Sequence, residues 1–276
     1  FRDTLDVTLS NYHFRNRPLT VKMLDEIDLN KSISIYKNRF ADAGDFTFVF
    51  TGNIDLSVLK PLVETYLGGL PSLSRNEKPM DLKYSNIKGE IHKEIRKGIE
   101  QKSSVAIAYT GDMNWSRKNE YILESLMDII NIKLREAVRE DKGGTYGIRG
   151  YHQIYRLPKS HYTINLNFGC APDRVNELVS TANQVLDSIK TFGPDDIVMI
   201  KIKETQKRQR EINLKKNNFW KGIISNYIQY NENPVEILDY YKWVDELNSD
   251  DIKKAANEYL SKDFVKVVLY PESKPE

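Results

Sequence analysis

Arg139 and Tyr146 stand seven residues apart in REDKGGTY (139–146), a guanidinium and a phenol on either side of Gly143-Gly144. Both side chains donate hydrogen bonds at neutral pH, which suits the carbonyl oxygens of a bound polypeptide or an oxyanion that develops during acyl transfer. A plainer reading fits the same residues. An arginine at a helix C-terminus complements the dipole at ~0.3–1 kcal/mol and packs its stem, and a tyrosine at the start of a strand is ordinary. Spacing alone leaves both open.

Other chemistry-bearing residues are sparse. None of His13, His92, His152 and His161 lies three or four residues from another, so the spacings that put zinc ligands on one helix face are absent. The one cysteine, Cys170, precludes an intrachain disulfide or a multi-cysteine metal cluster, and its place before Ala171-Pro172 predicts a small buried hydrophobe. There is no Gly-x-Ser-x-Gly elbow, Walker loop or Gly-x-Gly-x-x-Gly. The chain is therefore expected to hold no complete catalytic set and no metal site. Seven basic residues between Lys201 and Lys216, followed by Phe219 and Trp220, raise single-stranded nucleic acid as a ligand. Ile197, Ile200, Ile212 and Phe219 supply an apolar side, so a solvated helix face is the stronger reading, and no nucleic-acid partner is expected.

The elements that must position these residues follow from pattern. The chain has 276 residues, 41 Lys+Arg against 39 Asp+Glu, and a net charge of +2, which gives no electrostatic licence for nucleic acid or membrane surfaces. No apolar run approaches the ~18 residues of a membrane span. Two short helices are expected between Thr20 and Phe40, then a strand over FTFVFTGN (46–53), where Phe46, Phe48 and Phe50 alternate with Thr47, Val49 and Thr51. Asp55 caps the next helix, with Pro61 an awkward interior residue. Two alternating runs at 91–95 and 105–109 predict a strand pair, and a long helix follows over about 116–140. Strands are expected near 145–155 and 161–169, with a helix capped by Asp173 after them. The remainder predicts a helix after Gly193-Pro194, further helical segments at about 220–230, 234–245 and 250–260, and a last strand over 264–272. This order predicts an α+β fold, a mostly antiparallel sheet packed against helices.

Residues 70–86 carry two prolines and few bulky apolar side chains, and are the best linker in the chain. A helix-then-strand unit in 30–53 is echoed in 248–272, with Phe46 and Phe264 standing 218 residues apart. That spacing predicts the tail of one repeat of ~220 residues followed by a whole second one. The first residue is Phe1 rather than Met, which predicts that a longer polypeptide continues upstream.

Taken together, RPLTVKMLDEIDLNKSISIYKNRF (17–40), DFTFVFTGNIDLSVLKPLVETYLGGLPS (45–72), KGIEQKSSVAIAYTG (97–111), REDKGGTYGIRG (139–150), FGCAPDRVNELV (168–179) and VVLYPE (267–272) resemble the C-terminal half of a pitrilysin/insulinase-family zinc metallopeptidase of the bacterial four-domain type. The resemblance implies four homologous α+β domains of the LuxS/MPP-like kind, in two bowl-shaped halves around a peptide chamber. It makes residues 1–86 the end of the third domain and 88–276 the complete fourth. In such enzymes zinc is held in the first domain by an inverted His-x-x-Glu-His and a distal Glu, a motif this sequence lacks. The resemblance thus implies zinc in the full-length protein, none in this part, and a partner in the protein's own N-terminal catalytic half. It also implies that Arg139 and Tyr146 match an Arg/Tyr pair that binds the substrate near the scissile bond, with peptides as substrates and the periplasm as location. By this reading the part alone is inactive. A non-catalytic scaffold or binding subunit of the same fold is the alternative, since related chains lacking zinc ligands serve as partners.

Overall fold

A computed structural model of the chain describes residues 1–75, 77–140 and 147–272, apart from the side chains of residues 139 and 140. The described residues fall into two compact units. The first comprises residues 1–18, 80–205 and 243–276, and the second residues 19–79 and 206–242.

The first unit is built on five strands: β1 (Glu90–Arg96), β2 (Ser103–Asp112), β3 (Ile148–Tyr155), β4 (His161–Cys170) and β5 (Phe264–Tyr270). Their order across the sheet is β1-β5-β2-β4-β3, antiparallel except for the β1–β5 pair. The α+β expectation holds. The strand pair expected at 91–95 and 105–109 is different, because β5 lies between the two. Gly98, at φ +90°, turns the chain out of β1 in a region that costs glycine nothing, and the Glu272 amide donates to the Gly98 carbonyl at 2.8 Å. Sequence neighbours are usually sheet neighbours, yet the apolar run of β5 belongs in the middle: Val265 and Val267 are fully buried.

Ten α-helices are present among the described residues: α1 (Arg2–Leu9), α2 (Val21–Leu24), α3 (Leu29–Arg39), α4 (Leu56–Tyr66), α5 (Arg117–Leu134), α6 (Val175–Phe192), α7 (Asp196–Asn213), α8 (Asn217–Gln229), α9 (Tyr240–Glu246) and α10 (Ser249–Tyr259). Helix α1, which the sequence pattern did not show, packs Leu5 with Ile87, Ala106, Ala108, Val265 and Val267 on one sheet face. Its short, weakly apolar stripe explains the missed signal. Helices α5, α6 and α10 form the other layer, with Tyr259 edge-on to Tyr162 at 5.0 Å between ring centroids. Asn248 and Asp251 close a capping box at the start of α10. The expected Asp173 cap gives way to a short 3-10 turn, Pro172–Arg174, whose geometry moves the start of α6 to Val175.

Along α7 the buried positions are Val198, Met199, Ile202, Gln206 and Arg210, whereas Ile197 and Ile200 are exposed. The apolar side expected from the isoleucines is therefore not the buried one. The i, i+4 row from Val198 to Arg210 faces inward.

In the second unit, Asp28 caps α3 through the Lys31 amide, and Asp55 caps α4 through the Ser57 amide. Helix α4 runs through Pro61. The strand expected at 46–53 is not formed: the run has no ladder partner among the described residues, and Phe46, Phe48 and Phe50 are 37%, 46% and 49% exposed. A strand needs a neighbour to bond its backbone, and alternation alone does not supply one. Two polar groups organise what is buried. Asp42 accepts the amides of Gly44, Leu73 and Arg75, and Arg210 donates to the Ile237 carbonyl at 2.8 Å while its guanidinium lies over Phe219 and Tyr240.

Candidate functional site

In the sequence, Arg139 and Tyr146 fall in the stretch between α5 and β3 of the first unit. Ser116 caps α5 through the Asn119 amide at 3.0 Å, and an apolar stripe including Leu123, Leu126, Ile129, Ile130 and Leu134 buries the helix against the sheet. From Arg135 to Glu140 the helix widens into a π-helical turn, and Arg139 is the fifth residue of that turn. π-Turns are rare and concentrate at functional positions. The preceding residue, Val138, is fully buried, so the backbone that carries Arg139 is anchored in the core. The Arg139 side chain and the whole of Tyr146 lie outside the described residues. Gly147 and β3 follow directly.

Three side chains that spacing did not single out surround this turn. Lys133 forms ion pairs with Asp195 at 3.2 Å and Glu136 at 3.7 Å. Asp195 accepts the Val198 amide at the start of α7, and that bond, followed by Lys133, holds its carboxyl below the usual range. Asn131 is bonded twice to the Gly150 backbone: its Nδ2 donates to the carbonyl at 3.0 Å, and its Oδ1 accepts the amide at 2.7 Å. A lone asparagine inside a helix carries no motif, so only the β3 partner reveals it.

The remaining sequence candidates are dispersed. His13 is tied to the Leu82 carbonyl and stacks near Tyr84. His92 lies on β1 beside Glu90, and His161 on β4 stacks on Tyr155 with centroids 4.7 Å apart. His152, half-buried on β3, has its pKa lowered by burial, which favours the neutral ring. Cys170 is buried and its thiol pKa is raised by that burial, as befits a packing residue. Among the described residues no three His, Cys, Asp or Glu side chains are gathered as metal ligands. The described residues therefore do not fit a zinc site. No described helix is long and apolar enough to cross a membrane.

Comparison with known proteins gives a consistent picture. A family profile, Peptidase M16 inactive domain, matches residues 26–205. The probable zinc protease PqqL of Haemophilus influenzae is 31% identical over 176 residues, which cover 63% of this chain and 18% of that protein. The crystal structure of the periplasmic protease PqqL from Escherichia coli matches with a TM-score of 0.82 at 19% identity, over 99% of this chain and 30% of that one. The ferredoxin protease FusC, solved in complex with Arabidopsis ferredoxin, matches with a TM-score of 0.76 at 16% identity, over 97% of this chain and 29% of that one. The chain thus spans less than a third of each of these relatives, and the structural likenesses, at such identities, speak for the fold alone.

Proposed function

Because the chain belongs to the peptidase M16 family, matching its inactive domain, we propose that it is the substrate-enclosing C-terminal half of a zinc-dependent endopeptidase that cleaves peptides or unfolded polypeptides. Residues 1–86 are then the end of a third repeat domain and 88–276 the fourth. Zinc, the general base and the activated water belong to the other half, the natural partner of this one. The periplasm is the compartment, on the strength of the likeness to the periplasmic PqqL.

In this reading Arg139 and Tyr146 act on the substrate. The guanidinium and the phenol donate to main-chain carbonyls beside the scissile bond and to the oxygen that becomes anionic as the carbonyl is attacked. The observation that carries the reading is the placement of Arg139 on a π-helical turn locked to the core by Val138, at the junction of α5 and β3. Alone, without the metal-bearing half, this chain has no peptidase activity.

The test is turnover of a quenched peptide by the full-length polypeptide carrying Arg139→Ala or Tyr146→Phe. Each variant is expected to lose about 10²–10³ in kcat with its zinc content unchanged. Parent turnover in both variants excludes the assignment. Absence of zinc and of hydrolysis in the parent itself identifies a non-catalytic scaffold.

A further inference from the structure

We propose that Asn131 is a positioning residue: its carboxamide locks the end of α5 to β3 and thereby sets where the π-helical turn presents Arg139. The proposal rests on the reading of Arg139 as a substrate-contacting residue.

Gly150 lies in β3 opposite Leu166 of β4. Its own amide and carbonyl both go to Asn131, so the side-chain amide stands where the next strand's peptide group would be. Only one orientation of the carboxamide satisfies both bonds, with oxygen toward the Gly150 amide and nitrogen toward its carbonyl. The approach is close. A Cβ at position 150 would come within 2.8 Å of Met127 Cε and 2.9 Å of Leu166 Cδ2 and within 3.3 Å of Asn131 Oδ1, so a side chain there would make these neighbouring side-chain ends shift.

The consequence for the turn is mechanical. A π-turn departs from the regular i→i−4 ladder, so its bearing depends on tertiary anchors rather than on the helix alone. Leu134 and Val138 fix its depth in the core. Asn131, two helical turns before Arg139, supplies polar bonds that join the helix to the strand beyond the turn. Displacement of a substrate-contacting group by ~1 Å costs on the order of 10²-fold in rate.

The test uses the full-length polypeptide with Asn131→Ala, Asn131→Asp, Arg139→Ala and the Asn131→Ala/Arg139→Ala double variant, assayed with a quenched peptide and by amide hydrogen exchange. Asn131→Ala is expected to lower kcat about 10–100-fold with KM near the parent value, and to speed exchange in segments covering 135–140 and 148–152. Asn131→Asp, which sets a carboxylate oxygen against the Gly150 carbonyl, is expected to be at least as impaired. The double variant is expected to be no slower than Arg139→Ala, because a displaced guanidinium has already lost its contact. Parent kcat in both Asn131 variants beside an impaired Arg139→Ala overturns the positioning role, and so does full additivity in the double variant. Parent turnover in Arg139→Ala removes the substrate-contact reading on which the role depends, a pattern distinct from the other two.

Discussion

Two stretches of this chain share a sequence pattern and end in different structures. Residues 248–272 form α10 and then β5, whose backbone is bonded on both sides, to β1 and β2, and whose Val265 and Val267 are sealed from solvent. Residues 30–53 form α3 and then an extended run with no ladder partner among the described residues, and its three phenylalanines stay 37–49% exposed. The helix forms in both because helical hydrogen bonds are local. The strand forms only where other strands supply its bonds. An apolar, period-two run left this exposed is a surface that folded proteins normally bury against another element.

Substitutions in the two runs sharpen this contrast. In the present chain Val267→Asp is expected to cost at least about 3 kcal/mol, because it leaves an unpaired charge in the core. Phe48→Asp is expected to change stability by no more than about 0.5 kcal/mol, as surface changes do. Urea denaturation followed by circular dichroism compares them directly, and equal costs would mean that 46–50 is already a buried strand. In the full-length polypeptide the Phe48→Asp cost should rise toward that of Val267→Asp.

A smaller loss is expected at Arg210, which is buried with one carbonyl acceptor and two aromatic faces. Arg210→Ala should remove roughly 2–4 kcal/mol from the second unit, and local hydrogen exchange should show the loss there. Smaller again is the difference between the caps of the two echoed helices. Asn248→Ala breaks a reciprocal capping box and should cost about 1 kcal/mol, while Asp28→Ala loses a single bond on an exposed helix and should cost about 0.5 kcal/mol.

The last expectation concerns pH. The Arg75 amide, then those of Leu73 and Gly44, hold the Asp42 carboxyl below its ordinary value. Its contribution is therefore fully present above the unfolded value near pH ~4 and is lost as pH falls through the folded one. Asp42→Asn should flatten the acid limb of the second unit's stability profile. An unchanged limb would show that the three amides are not holding a carboxylate.

How much could be read from sequence alone follows the range of the interactions. The long apolar period of α5, the alternation of β4 and the capping residues Asp28 and Asp55 are local signals, and the elements they announce are present. The insertion of β5 between β1 and β2 joins residues more than 150 positions apart, and nothing in the β1–β2 segment announces it. The isoleucine pattern of α7 misleads because Gln206 and Arg210 face inward while Ile197, Ile200 and Ile212 face out. At the candidate site, Arg139 and Tyr146 were visible as residue types at a spacing. The π-turn beneath Arg139 and the Asn131–Gly150 bonds were not, since both arise from the packing of α5 on β3.

Peptide hydrolysis by separately produced halves tests the central claim most directly: this chain mixed with the upstream half of its own full-length polypeptide, each also assayed alone. Zinc-dependent cleavage in the mixture, with neither half active by itself and none restored by a chain carrying Arg139→Ala and Tyr146→Phe, is the expected result. Full activity of the upstream half alone, or equal restoration by the doubly substituted chain, would contradict it.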